Sequence, residues 1–162
     1  ALLCGNVGKE NAGINPLRGQ NNVQGASDMG ATPADLTGYQ KILHRESPEK
    51  FERAWNTKLS DRVGATITEM FKLIEEEKIK FLYIMGENPV VSDPDTNHVI
   101  SALKKVDFLI VQDIFFTETC EYADLVLPAV SFAQKDGTFT NTERRVQRVR
   151  KAVKENGLAK PD

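Results

Sequence analysis

Lys80-Phe81-Leu82-Tyr83-Ile84-Met85-Gly86 decides the fold. Its five consecutive apolar residues are too few for a helix, are rich in strand formers and end at a glycine, so they read as a buried strand. Outward from it, Asp107-Phe108-Leu109-Ile110-Val111-Gln112 and Asp124-Leu125-Val126-Leu127-Pro128 repeat the pattern. Between the first two strands, Val99, Ile100 and Leu103 recur at helical spacing over 95–105, and Lys104 and Lys105 suit the last turn of a helix. A short helix is expected over 117–122. Upstream, Thr66-Ile67-Thr68-Glu69 is a capping box that opens a helix with an apolar face running to Glu77. Ser47-Pro48-Glu49-Lys50 offers an N-cap and a first-turn proline for a helix to Asn56. Strand, helix, strand, short helix, strand is the order of an α/β fold with a parallel sheet and right-handed crossovers.

In such a sheet ligands gather at the carboxyl ends of the strands. The loops there are Gly86-Glu87-Asn88-Pro89, Gln112-Asp113-Ile114-Phe115 and the segment after Pro128, with Thr117, Lys135 and Asp136 close in sequence. Asp113 suits two roles. Its carboxylate can accept paired N–H bonds from a guanine or bind ribose hydroxyls, and it can equally be a turn or helix-cap residue. Lys135 is either a point charge for a phosphate or a solvated lysine in a turn. No Gly-x-Gly-x-x-Gly follows a strand and no phosphate-loop lysine motif is present, which disfavours ordinary NAD and ATP enzymes.

The 162 residues, 40% hydrophobic and 27% charged, make one ordinary globular domain. A net charge of −2 gives no general drive toward nucleic acid or an anionic membrane. No apolar run approaches the 18 or so residues that span a bilayer. Neither nucleic acid nor membrane is therefore expected as a partner of this segment. Cys4 and Cys120 are too far apart for a Cys-x-x-Cys motif and read as free thiols, while His44 and His98 read as surface or packing histidines. Arg144, Arg145, Arg148, Arg150, Lys151 and Lys154 form a basic run with valines at helix-like spacing, which suits a solvated face or a contact to another domain. The chain starts at Ala1 and stops at Asp162 without a natural element ending, so it reads as a piece of something longer.

Residues 5–40 hold seven of the eleven glycines and a run of amides, and are expected to form a long loop after a helix end at residues 1–4. Within that loop, the run from Gly13 to Gly30, with Asn15-Pro16-Leu17-Arg18-Gly19-Gln20-Asn21-Asn22-Val23-Gln24-Gly25 at its centre, resembles the formate dehydrogenase α-subunit of the molybdopterin oxidoreductase superfamily. The blocks at Gly86-Glu87-Asn88-Pro89, Val111-Gln112-Asp113-Ile114-Phe115, Ala123-Asp124-Leu125-Val126-Leu127-Pro128 and Lys135-Asp136-Gly137-Thr138 through Arg145 are similar to that family's in the same order.

The resemblance implies a three-layer αβα, Rossmann-like domain over 41–154, preceded by the Gly/Asn-rich loop of 1–40 and followed by a truncated linker, 155–162. That domain would bind one of the two molybdopterin guanine dinucleotides whose dithiolenes hold molybdenum or tungsten. Gly86, Glu87 and Asn88 would line the first strand tip, and Gln112 and Asp113 would meet the guanosine end, with Asp113 as guanine acceptor. Thr117 would add a hydrogen bond, and Lys135 would lie beside the cofactor. Ser27 stands where many relatives have Cys, and neither the family's metal-ligating Cys or selenocysteine nor its iron–sulfur cysteines match anything here. No catalytic residue and no metal ligand is therefore assigned, and the iron–sulfur cluster would belong to the parent outside this segment. The parent would oxidise formate, with its remaining domains and electron-transfer subunits as partners and the cytoplasm as default compartment. The isolated segment is expected to be inactive. Nitrate reductase-like or complex I large subunit-like parents, or a cofactor-free interaction module, are the alternatives.

Overall fold

The computed structural model describes residues 1–14 and 16–161; Asn15, in the long loop, and Asp162, in the expected linker, lie outside the described residues. In chain order the elements are α1 (Val23–Asp28), β1 (Asp35–Leu36), β2 (Gln40–Lys41), α2 (Glu46–Trp55), α3 (Ile67–Glu75), β3 (Phe81–Met85), α4 (Pro89–Ser92), α5 (Thr96–Leu103), β4 (Phe108–Asp113), β5 (Leu125–Pro128), β6 (Gly137–Thr140) and β7 (Val146–Val149). Short 3-10 turns occupy Glu118–Tyr122 and Phe132–Gln134. The chain divides into two compact units, Ala1–Val63 with Thr138–Arg148, and Gly64–Gly137 with Val149 onward.

In the first unit, residues 1–4 form hydrogen-bonded turns instead of the last turn of a helix. The Gly5 N–H donates to the Leu2 carbonyl and the Asn6 N–H to the Ala1 carbonyl, and Gly5 takes a φ of 61°, open to it because it has no Cβ. The expected loop of 5–40 contains α1 and the antiparallel pair β1–β2. α1 buries no residue, so it shows no apolar periodicity in the sequence. α2 starts at Glu46 with Arg45 at its N-cap, two residues earlier than the Ser47-Pro48 signal suggests, and ends at Asn56 in the left-handed region. The basic run expected at helix-like spacing begins as strand β7, paired with β6.

The second unit is built on the parallel sheet β3–β4–β5. Phe81 stands opposite Phe108 and Met85 opposite Gln112, while Ile110 stands opposite Leu125 and Asp113 opposite Pro128. α3 opens with the expected capping box: Glu69 accepts from both the backbone N–H and the hydroxyl of Thr66 at 2.7 Å. Asp95 caps α5 by accepting the His98 N–H at 3.0 Å. The Asp124 carboxylate accepts the Leu109 N–H at 2.7 Å and secures the start of β4.

Because side chains alternate along a strand, Ile84, Leu109 and Val111 share one face. There they pack with Phe71 and Ile74 of α3, Val99, Ala102 and Leu103 of α5, Val90 and Cys120. The other face has no such cover: Phe81 is 56% exposed and Met85 53%, whereas Leu109 and Val111 are fully buried. The described residues therefore form two layers, a sheet and one set of helices, where three were expected. Strands that read as buried on both sides are buried on one. His98 is a packing residue, its ring against Glu75 at 3.1 Å and edge-on to Phe71, and both thiols are free.

Candidate functional site

The carboxyl ends of the three strands open into a cleft of about 330 Å³ lined by Met85, Gly86, Gln112, Asp113, Ile114, Phe115, Ala129, Val130 and Lys135. The ladder continues past the strands to shape it. The Gly86 N–H donates to the Gln112 carbonyl and the Ala129 N–H to the Asp113 carbonyl, both at 2.9 Å, so neighbouring tips are tied edge to edge. Gly86 has a φ of 65°, a left-handed turn that a Cβ would strain, and the space a Cβ would point into is empty to 4 Å. Backbone is thereby exposed at the cleft.

Of the residues that the strand-tip argument and the family resemblance single out, Gly86, Gln112, Asp113 and Lys135 come together here. Asp113 takes the turn role open to it in the sequence. Its Oδ1 accepts the Phe115 N–H at 3.0 Å, an Asx turn that fixes the carboxylate at the strand tip, and Oδ2 is left without a protein donor among the described residues. Gln112 is nearly buried, with its Oε1 accepting the Tyr83 hydroxyl. Met85, Ile114 and Phe115 give the cleft an apolar wall. A carboxylate, an ammonium group and an apolar wall together suit a flat heterocycle that carries N–H donors and a phosphate.

Glu87, Asn88 and Thr117 are used inside the fold. Asn88 Oδ1 accepts the Thr119 hydroxyl at 2.6 Å, and its Nδ2 donates to Glu118 at 2.8 Å. This amide ties the turn after β3 to the turn after β4. The backbone N–H of Glu118 and then Asn88 hold the Glu118 carboxyl below the usual carboxylate range. Glu87 accepts the Ser92 hydroxyl at 2.7 Å, while burial, helped by the Glu87 charge, pushes the Asp93 carboxyl up. Thr117 caps the 3-10 turn, its hydroxyl 3.4 Å from the Cys120 sulfur.

A second cleft of the same volume lies within the first unit, where Arg18, Gln20, Asn21 and Gln24 face Asn141, Thr142 and Gln147. Gln24 organises it by accepting from Arg18 at 3.4 Å and donating to Asp28 at 3.1 Å and to the Tyr39 hydroxyl at 2.6 Å. That bond from Gln24, more than any other cause, holds the Asp28 carboxyl below its ordinary value. Sequence reasoning placed Arg18 to Gln24 in a loop that resembles the family's but assigned them to no site; the available signal was the concentration of amides around a single arginine. Among the described residues, no group of three or more His, Cys, Asp or Glu side chains converges to share a metal ion, and no helix is long and apolar enough to cross a membrane.

A family model described as molybdopterin oxidoreductase matches residues 1–162. The F420-dependent formate dehydrogenase subunit alpha of Methanocaldococcus jannaschii is 60% identical over 164 residues, covering 100% of this chain and 24% of that protein. The F420-dependent formate dehydrogenase 1 subunit alpha of Methanococcus maripaludis is 55% identical over 162 residues, with the same coverage. This chain thus spans about a quarter of the length of those curated relatives. Among solved structures, the acetylene hydratase of Pelobacter acetylenicus is similar in fold, with a TM-score of 0.55 at 23% identity over 71% of this chain and 17% of that one.

Proposed function

Because the chain belongs to the molybdopterin oxidoreductase family, we propose that its second unit binds the nucleotide end of a molybdopterin guanine dinucleotide, within a longer polypeptide that oxidises formate to carbon dioxide. The observation that carries this reading is the convergence of Gly86, Gln112, Asp113 and Lys135 on one cleft at the carboxyl ends of three parallel strands. The choice of formate rests on the names of the relatives at 60% and 55% identity.

The residues present fit the guanosine and phosphate part of such a group. Asp113 has one oxygen fixed by Phe115 and the other available for guanine N–H groups. Lys135 supplies positive charge to a phosphate, and Met85, Ile114 and Phe115 supply an apolar wall for the base. The turn at Gly86 lets backbone approach the ligand closely. Glu87, Asn88 and Thr117 then act one step back, as residues that hold the strand-tip turns in place. When bound, the cofactor with its molybdenum or tungsten supplies the two-electron chemistry, and this chain supplies binding and orientation. An iron–sulfur cluster, electron-transfer subunits and a cytoplasmic location complete the proposal for the longer polypeptide.

The test is Asp113→Ala in the longer polypeptide that carries this segment. Removing the charged acceptor of guanine N–H bonds costs about 1.5 to 3 kcal/mol, so cofactor affinity falls about tenfold or more. Metal and guanine dinucleotide are measured after dialysis. Content equal to the unsubstituted protein overturns the assignment of Asp113.

A further inference from the structure

We propose that Asp136 is a positioning residue for the ammonium group of Lys135. It fastens residues 151–160, which form a strap, to the loop that carries Lys135, and so holds that charge in place for a phosphate at the cleft. The proposal deepens the nucleotide reading and rests on it. Loop and strap both belong to the second unit.

The loop runs from Pro128, at the end of β5, to Asp136, just before β6, and supplies Ala129, Val130 and Lys135 to the cleft. Its 3-10 turn, Phe132–Gln134, is closed by a capping box in which the Gln134 side chain accepts the Ser131 N–H at 3.1 Å. Such a short turn leaves carbonyl groups at its end without partners of its own. The strap supplies them. The Ala133 carbonyl accepts the Ala152 N–H at 2.8 Å and the Val153 N–H at 3.0 Å. Gln134 donates from Nε2 to the Lys154 carbonyl at 3.0 Å, and Asp136 accepts the Lys151 N–H on Oδ1 at 3.1 Å. At the far end the Lys160 N–H reaches the Pro128 carbonyl at 3.2 Å, and Lys160 forms a parallel bridge with Ala129. The strap is thus tied to both ends of the loop.

The place of Asp136 singles it out among these ties. The backbone of Lys135 is extended, with φ −139° and ψ 159°, so its side chain and the next one diverge. Lys135 lines the cleft and Asp136 does not, and the Asp136 carboxylate turns to the strap. The ties of Ala133 and Gln134 precede Lys135 and that of Asp136 follows it, so the lysine is bracketed. The strap keeps its own geometry through the Lys151 ammonium on Glu155, which, with the Glu155 backbone N–H after it, holds the Glu155 carboxyl below its ordinary value. An ammonium on a flexible stem gains affinity when its backbone is already placed, because less ordering is left to be done at binding.

The test uses the longer polypeptide with Lys135→Gln, Asp136→Ala, Asp136→Asn and the double variant Lys135→Gln/Asp136→Ala. Each is dialysed at low and at high potassium chloride, and the guanine dinucleotide retained is compared with that of the unsubstituted protein. Asp136→Ala should weaken retention about three- to tenfold, the effect of one lost hydrogen bond. Asparagine keeps an oxygen that accepts the Lys151 N–H, so Asp136→Asn should retain the cofactor as the unsubstituted protein does. Because Asp136 acts through Lys135, the double variant should match Lys135→Gln. For the same reason Asp136→Ala should shrink the salt dependence that the Lys135 ammonium confers. Equal loss in Asp136→Asn, additive losses in the double variant or an unchanged salt dependence would mark a merely structural aspartate and overturn the proposal. Loss in Lys135→Gln with full retention in Asp136→Ala overturns the positioning role alone. Full retention in both Lys135→Gln and Asp113→Ala overturns the nucleotide reading, and the positioning role falls with it.

Discussion

The two units are held together by different physics. In the first, Phe51 is the one buried hydrophobic residue among those described, and order comes from side-chain amides bonded to backbone and to other polar side chains. Asn22 donates from Nδ2 to the Thr138 carbonyl at 3.3 Å and accepts the Thr140 N–H on Oδ1 at 3.0 Å, the two bonds that a strand would make to the edge of β6. The Gly38 N–H reaches the Asp28 carbonyl at 2.7 Å, and the Thr37 hydroxyl reaches the Met29 carbonyl at 3.1 Å. In the second unit, Phe71, Ile74, Val99, Leu109 and Val111 make a closed apolar core. Exposed hydrogen bonds compete with water and net about 0.5 to 1.5 kcal/mol each, whereas burial is non-directional and scales with area at about 25 cal/mol per Å². The amide-held unit should therefore open locally and the core-held unit cooperatively.

The sharpest way to break this contrast is Leu109→Ala. Leu109 is fully buried at the centre of the sheet, and a cavity there should cost about 2 to 5 kcal/mol. Urea unfolding followed by near-ultraviolet dichroism measures it, and a loss under about 1 kcal/mol would mean that the second unit is not held by its core. Thr119→Val sharpens the contrast inside that unit. Thr119 is fully buried and its hydroxyl satisfies Asn88, so an isosteric apolar replacement should cost about 1 to 3 kcal/mol even though it adds hydrophobic area. A neutral or stabilised variant would show that the Thr119 hydroxyl contributes nothing to a tie that the Thr119 N–H and Glu118 also make to Asn88.

Gly25→Ala addresses the first unit. An added Cβ would stand 2.3 Å from Asn22 Oδ1, so the amide must swing off β6. Amide exchange at Thr140 should accelerate by a factor of about 5 to 10, corresponding to about 1 kcal/mol, with the urea midpoint of the second unit unmoved. Unchanged exchange at Thr140 would remove Asn22 from the account. The smallest effect concerns pH. The Thr66 backbone N–H, and then its hydroxyl, hold the Glu69 carboxyl below its ordinary value. A depressed pKa means that this contribution to α3 is present above the ordinary Glu range and is lost as pH falls through the lower folded value. Glu69→Gln should flatten the acid limb of a pH titration of α3 amide protection; an acid limb identical in the variant would show that the capping box is not the titrating element.

What could be read directly from the chain was local. Thr66 and Glu69 sit three apart because a capping box requires that spacing, and the box is there. The three apolar runs became β3, β4 and β5 within a residue of the expected bounds, since a short continuous run of strand formers has few other uses. α1 escaped because its helical turns bury nothing, and Val146 and Val149 showed helix-like spacing by accident in a segment whose strand character depends on pairing with β6. Asn88 was legible as a polar residue at a strand tip, but its partners, Thr119 and Glu118, come from a turn that only the closed sheet brings alongside, whereas Thr117 meets Cys120 within its own turn.

The sequence by itself determined which stretches are strands, where one helix is capped, and which polar residues stand at the carboxyl ends of the sheet, because these depend on neighbours a few positions away. Only the tertiary structure decided that Gly86, Gln112, Asp113 and Lys135 share one cleft and that one face of the sheet is covered while the other is bare. An apolar side chain records that it must leave water, through a driving force that has no direction. It carries no record of which element will cover it, and that is settled by which surfaces the folded chain brings into contact.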